Sequence, residues 1–168
     1  HLVAGPGVNI PEGLHKTTRI TSALDLLKAC EEAFSTTDIA IMSAAVADYR
    51  PVKPAAQKIK KDGEAITLEL VENPDVLATL GKQKKKGQVL VGFALETNDP
   101  LENARKKLHK KNCDLIVLNQ PTENTGFAHD TNEVTLVSHN SDVKVLGLKK
   151  KEEIAHEILE YIISEFTI

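Results

Sequence analysis

Val89-Leu-Val-Gly-Phe93, then Asp99-Pro100, then Leu115-Ile-Val-Leu118 follow one another along one stretch of the chain. The first and last are short apolar runs of the kind that form strands buried on both faces of a parallel sheet. Between them, Asp99 sits where a helix N-cap belongs and Pro100 at the first helical position, which predicts a helix to about Asn112. Strand, helix, strand is a βαβ unit. Outward toward the N-terminus, Asn73-Pro74 repeats the cap-plus-proline device and predicts a helix with Val76, Leu77 and Leu80 inward, fraying at Lys84-Lys-Lys-Gly87. Ile66-Thr-Leu-Glu-Leu70 alternates and predicts a half-exposed strand. Asp38-Ile-Ala-Ile-Met-Ser43 reads as another buried strand. Thr21 and Ser22 are cap candidates for a helix carrying Ala23, Leu27, Cys30 and Phe34 on one face. Leu2-Val-Ala4 is a first strand ending at Gly5-Pro-Gly7. Outward toward the C-terminus, Val134-Thr-Leu-Val137 and Val143-Lys-Val-Leu146 read as a hairpin joined through His139-Asn-Ser-Asp142. A last helix carries Ile154, Ile158, Tyr161, Ile162 and Phe166 at helical spacing.

This alternation predicts an α/β fold: a mostly parallel sheet with helices on both faces and an added antiparallel hairpin. With 168 residues, one domain over 1–168 is expected. Hydrophobic residues at 41% and charged residues at 27% exclude collagen-like, mucin-like and strongly disordered chains. No apolar run approaches the roughly 20 residues needed to span a bilayer. Nothing resembles a secretory signal, and two cysteines, Cys30 and Cys113, cannot staple a scaffold. A reducing cytoplasm is the expected compartment. A net charge of −3 does not suggest nucleic acid as a partner. Bases are nonetheless concentrated locally: five between Arg50 and Lys61 with no acid, and five more between Arg105 and Lys111. Such runs suit a small polyanion, although any single run is more often a solvated face.

In an open sheet of this kind, ligands bind beyond the carboxyl ends of the strands. Met42-Ser-Ala-Ala-Val-Ala-Asp-Tyr-Arg50 leaves a strand with small residues, which let a flat ligand approach the backbone or a helix pack closely. Asn73-Pro-Asp-Val76 offers free backbone N–H groups to a phosphate, or only a plain helix cap. Phe93 could stack on a base or be a core aromatic. In the helix from Pro100, Leu101, Ala104 and Leu108 form the apolar stripe. Lys107 and Lys111 flank it, whereas Lys106 and Lys110 point away. There is no G-x-G-x-x-G after a strand, no Walker A motif and no G-x-S-x-G. The histidines are not paired at metal spacing, His129 near Asp130 reads as surface, and metal ligands stay unassigned.

Taken in order, Ala44-Ala-Val-Ala-Asp-Tyr-Arg-Pro51, Lys58-Ile-Lys-Lys61, Asn73-Pro-Asp75, Val91-Gly-Phe-Ala94 with Glu96-Thr97, and Asp114-Leu-Ile-Val117 with Asn119 resemble bacterial phosphopantothenoylcysteine synthetase. Gly126-Phe127, Asp130, Asn132 and the opening Val3-Ala-Gly-Pro6 continue the match over nearly the whole chain. The resemblance implies a Rossmann-like fold, a homodimer and amide formation in coenzyme A biosynthesis. The carboxylate of 4′-phosphopantothenate is activated with CTP and Mg2+ to an acyl-cytidylate, and L-cysteine then displaces CMP. It further implies fusion to, or partnership with, a flavin-dependent decarboxylase, so that FMN belongs to that domain and not to this chain. Carried over by motif, the nucleotide site comprises Met42, Ser43, Ala44, Asp48, Pro74, Asp75, Val76, Leu77, Phe93, Lys107 and Lys111. Lys58 is implied as the catalytic cation that stabilises departing pyrophosphate. The family's first β-loop-α unit, with its phosphate-binding loop, precedes the strand found here at Leu2. The chain is thus expected to be N-terminally incomplete and inactive alone. Two other readings stay open: a nucleotide- or dinucleotide-dependent enzyme on the same architecture, and a non-catalytic dimerisation domain.

Overall fold

The computed structural model describes residues 1–61, 63, 65–120, 130–139 and 143–166. In chain order the elements are β1 (Leu2–Ala4), β2 (Thr17–Arg19), α1 (Ala23–Phe34), β3 (Ile39–Met42), β4 (Tyr49–Pro51), β5 (Leu70–Glu72), α2 (Val76–Gln83), β6 (Val89–Leu95), α3 (Pro100–Lys110), β7 (Leu115–Asn119), β8 (Thr131–Ser138), β9 (Val143–Lys150) and α4 (Lys151–Phe166). They fall into two compact units: His1–Cys30 with Ala44–Asp75, and Glu31–Ser43 with Val76–Ile168.

The larger unit holds a five-stranded sheet in the order β3-β6-β7-β8-β9. β3, β6 and β7 run parallel, and β8 and β9 are antiparallel additions. This is the expected α/β architecture. Successive side chains along a strand point to opposite faces. Val89 and Val91, with Leu115, Val117, Val134 and Leu136, form one core with Ile154, Ile158 and Ile162 of α4. Gly92 lies on the other face, where Leu77 of α2 and Ile116 approach it. Helices therefore cover both faces. Leu90, Val91, Leu115, Ile116, Val117 and Leu118 have no measurable exposure, and burying each such side chain contributes about 1.5–3 kcal/mol. β9 passes into α4 without a loop, and the Lys151 N–H donates to the Asp130 carbonyl at 3.0 Å. A register shift in the β8–β9 pairing lies between Asn132 and Val134.

Two helix contacts set backbone positions in this unit. A Cβ at Gly81 would stand 1.9 Å from the Lys111 carbonyl oxygen, so α2 passes the end of α3 where only glycine fits. Asn112, in the left-handed region at φ 51, donates its side-chain amide to the Gly81 carbonyl at 2.8 Å. Asp114 accepts from Lys84 Nζ at 2.8 Å and from the Leu90 N–H at 2.7 Å, fastening the start of β6.

The smaller unit contains two two-stranded sheets. β1 pairs in parallel with β2, and β4 pairs antiparallel with β5. Neither β2 nor β4 is anticipated by the sequence reading. The strand expected over Ile66–Leu70 begins instead at Leu70. Residues 65–69 are exposed and irregular, although the Val52 N–H still donates to the Glu69 carbonyl at 3.0 Å. At the start of α1, Ser22 and Asp25 form a capping box. The Asp25 N–H donates to Ser22 Oγ at 3.1 Å, and the Ser22 N–H donates to Asp25 Oδ2 at 3.0 Å. Hydrogen bonds from the Ser22 hydroxyl first, and then from Thr21, hold the Asp25 carboxyl below its ordinary range.

Helix faces differ slightly from expectation. Leu26, Ala29, Cys30 and Phe34 are the buried set in α1, so the stripe is rotated from the one written through Ala23 and Leu27. In α3, Ala104 and Leu108 are buried and Leu101 is exposed. Asp99 makes no side-chain cap and takes φ 44. A residue before proline is driven out of the right-handed helical region, and aspartate tolerates the left-handed one.

Candidate nucleotide site

In the larger unit, β6 and β7 end in register at Leu95 and Asn119, and β3 stops short of them, which leaves the last residues of β6 open on that edge. Met42 is the last residue of β3 and pairs in register with Gly92 of β6. Ser43 follows, exposed. The chain arrives here through an apolar strand and leaves over residues 43–47 in exposed backbone that is neither helix nor strand. Beside Met42 and Gly92, Lys107 donates from Nζ to the Phe93 carbonyl oxygen at 2.9 Å. One of three ammonium donors is thus committed to the strand end. The Phe93 ring is partly buried against the core cluster, which agrees with the core-aromatic alternative. What Phe93 presents at the strand end is its carbonyl.

The helical wheel is visible as exposure. Lys107 and Lys111 are half-buried, whereas Lys106 and Lys110 are exposed, and Lys106 pairs with Glu102 at 2.6 Å. The Lys111 backbone is fixed from both sides: its N–H donates to the Lys107 carbonyl at 3.0 Å, and Gly81 approaches its carbonyl. Val76 and Leu77 are buried at the first turn of α2, and Leu77 reaches toward Gly92. Met42, Leu77, Phe93 and Lys107 are therefore gathered at one end of the sheet.

In the smaller unit, Ala44 and Asp48 are exposed, and Asn73 ties their segment to Pro74 and Asp75. The Asn73 N–H donates to the Asp48 carbonyl at 2.7 Å, and its side-chain amide donates to the Ala47 carbonyl at 2.8 Å. Arg50 Nη1 donates to Asn73 Oδ1 at 3.1 Å and to the Glu72 carbonyl at 2.8 Å. The helix cap expected of Asn73 is thus replaced: α2 begins at Val76, and the Asn73 side chain is engaged elsewhere. An asparagine is both donor and acceptor, and a cap uses only its oxygen. The guanidinium of Arg50 is the sequence signal for the other use. Lys58 lies in exposed, irregular backbone between β4 and β5, as do Lys60 and Lys61. Gly126-Phe127 and His129 fall outside the described residues.

Both cysteines are free and buried. Burial pushes the Cys113 thiol up to about 11 and raises that of Cys30. Burial thus disfavours the reactive thiolate at both. Among the described residues, no group of three or more His, Cys, Asp or Glu side chains is placed to hold a metal. A resident magnesium cage does not fit them. No helix among them is long and apolar enough to cross a membrane.

Comparison with known proteins converges on one family. Residues 1–166 match the model of the DNA/pantothenate metabolism flavoprotein C-terminal domain. The chain is 42% identical over 163 residues to the coenzyme A biosynthesis bifunctional protein CoaBC of Bacillus subtilis, covering 96% of this chain and 40% of that protein. It is 38% identical over 172 residues to the CoaBC of Escherichia coli, covering 98% of this chain and 41% of that protein. It thus spans about two fifths of the length of these relatives. Among solved structures, a C-terminal domain of CoaBC superposes with a TM-score of 0.77 at 37% identity, over 96% of this chain and 71% of that one. A Cab2 mutant in complex with phosphopantothenate-cysteine has a TM-score of 0.59 at 18% identity, over 86% and 52% of the two chains, and so shares the fold. The chain belongs to the DNA/pantothenate metabolism flavoprotein C-terminal domain family.

Proposed function

We propose that this chain carries the ligase activity of a coenzyme A biosynthesis protein, joining 4′-phosphopantothenate to L-cysteine with CTP. The observation that carries the reading is the 42% identity to the Bacillus subtilis bifunctional protein over 96% of this chain. The gathering of Met42, Phe93 and Lys107 at the strand ends supports it.

The chemistry asks for cations. A carboxylate oxygen is a poor leaving group, so it is converted to a phosphoric anhydride. The carboxylate of 4′-phosphopantothenate attacks the α-phosphorus of CTP, the new P–O bond forms, and the bond to pyrophosphate breaks. The cysteine amine then attacks the acyl carbon, loses a proton, and CMP leaves. In this reading Lys107 and Lys111 neutralise triphosphate charge, and Lys58 stabilises the departing pyrophosphate. Lys58 acts as a cation and not as a base, because phosphate oxygens beside an ammonium favour its charged form. Met42, Ser43, Ala44 and Phe93 offer backbone groups to the cytosine edge. Asp48, and the run Pro74, Asp75, Val76 and Leu77, line the nucleotide. Magnesium would accompany the triphosphate, held mainly by phosphate oxygens.

The proposal includes a homodimer and a flavin decarboxylase, fused or partnered, that holds FMN and consumes the product. Exposed Val52, Ile59, Leu68 and Leu70 in the smaller unit suit burial by a second copy. The test is pyrophosphate release and amide formation from 4′-phosphopantothenate and cysteine, with CTP against ATP. It is run on the 168-residue chain and on a form extended by one N-terminal β-loop-α unit. Expected is CTP-dependent amide formation by at least one of the two forms. ATP preference overturns the nucleotide assignment. NAD(P) binding without ligation favours an oxidoreductase, and a dimer that binds no nucleotide favours a docking role. Lys58→Gln is expected to slow pyrophosphate release by about 10²-fold, with Lys60→Gln and Lys61→Gln doing much less.

A further inference from the structure

We infer that Asn73 and Arg50 are a positioning pair that holds the Ala44–Asp48 segment against Pro74 and Asp75, and so sets affinity for the nucleotide without touching it. The inference rests on the proposed CTP site and adds two residues to it.

The backbone N–H and both side-chain polar groups of Asn73 are committed to this task. Its N–H and side-chain amide donate to consecutive carbonyls, Asp48 at 2.7 Å and Ala47 at 2.8 Å. Its side-chain oxygen accepts from Arg50 at 3.1 Å, which also fixes which way the amide faces. The same guanidinium nitrogen donates to the Glu72 carbonyl at 2.8 Å, one residue before Asn73. Arg50 is itself in register opposite Val71 in the β4–β5 pair. The clamp thus begins on the ribbon and ends on the two carbonyls that precede it. Residues 43–48 are exposed and irregular. A segment with so few apolar contacts keeps a single conformation only through such hydrogen bonds. Displacement of a binding group by about 1 Å can cost as much as 10²-fold in rate, so a clamp of this kind is expected to be read in ligand binding.

The experiment uses the form found active in the ligation assay. Asn73→Asp keeps the acceptor for Arg50 but removes the donor to Ala47 and sets a carboxylate against that carbonyl. Arg50→Lys keeps the charge but removes the longer, planar guanidinium whose Nη1 makes both bonds. Both are measured for CTP affinity by calorimetry, for KM of CTP and of L-cysteine, and for thermal midpoint, with exposed Lys106→Gln as the control. The expected result is a rise of about tenfold in Kd and KM for CTP in each variant, the effect of one lost charge-assisted or well-aligned bond. The KM for cysteine should stay near wild type, and the midpoint should fall only by the small amount that a lost hydrogen bond explains. The double variant should be no worse than Asn73→Asp alone, since the pair acts as one unit. Unchanged CTP affinity in both single variants overturns the inference. So does a uniform rise in both KM values together with a lowered midpoint, which marks a folding effect only. A wild type that binds CTP but does not ligate refutes the proposed reaction and leaves the clamp to be judged by calorimetry. A wild type that binds no nucleotide overturns both.

Discussion

The Val89–Leu95 strand and the stretch from Ile66 to Glu72 are similarly rich in aliphatic residues and meet opposite fates. Leu90 and Val91 are 0% exposed, while Ile66, Leu68 and Leu70 are 62%, 60% and 53% exposed. Strand β6 has neighbours on both edges and side chains on both faces. The β4–β5 ribbon has one partner and three paired residues per strand. The comparison teaches that apolar content alone predicts a strand but not its cover. The larger unit is held by burial, whose strength grows with area. The smaller one relies much more on directed hydrogen bonds, each contributing about 0.5–1.5 kcal/mol.

Mutations should separate the two kinds of support. The largest effect is expected at Gly81. Its absent Cβ would meet a backbone oxygen that cannot rotate away, so Gly81→Ala should destabilise the protein by about 3 kcal/mol, the upper range for overpacking. It should also weaken CTP binding through Lys111. A midpoint in denaturant unchanged from wild type would show that α2 and α3 can part freely. Next comes Asp114→Ala, which leaves the Leu90 N–H and Lys84 without their partner. A loss of about 2 kcal/mol is expected by urea unfolding. Leu68→Ser in the smaller unit should stay within about 0.5 kcal/mol for the monomer, as for exposed positions generally. If it cost as much as Asp114→Ala, the contrast between the units would collapse. If it instead lowered dimer affinity in sedimentation equilibrium, the proposed second copy would gain its contact surface.

The smallest effect concerns Asp25, which is held below its ordinary value of 3.8 chiefly by the Ser22 hydroxyl. Its folded carboxyl is the stronger acid, so the stability it contributes is fully present above the unfolded value. That stability is lost as pH falls through the folded one. Asp25→Asn should therefore flatten the stability profile below about pH 4 and leave it parallel to wild type at neutrality. A difference in slope near pH 7 would contradict the assignment.

What could be read beforehand follows the same division. The strands at Ile39, Val89 and Leu115 and the helix from Lys151 announce themselves, because burial needs continuous or periodic apolar residues. The separation of Lys107 from Lys106 was equally legible, since a wheel depends only on helix geometry. Thr17–Arg19 gave no warning, because a three-residue polar strand exists only by virtue of its pairing with Leu2–Ala4. Tyr49–Pro51 was hidden for the same reason. Asn73 reads as a cap in the sequence because a cap is a local feature and a clamp to Ala47 is not. Gly81 went unnoticed, since the carbonyl it accommodates lies some thirty residues further along the chain.

The buried thiols supply a clock. With its ionisation pushed up to about 11 by burial, Cys113 is held as the unreactive thiol at pH 7, and its side chain is fully buried. Alkylating reagents added to the folded protein must wait for the connection between α3 and β7 to open. The rate of label incorporation at Cys113, followed by mass spectrometry and set against Cys30 on α1, would therefore time the opening of each region in one sample without denaturant. Added nucleotide should slow the two dates by different amounts, showing which part of the chain the ligand holds shut.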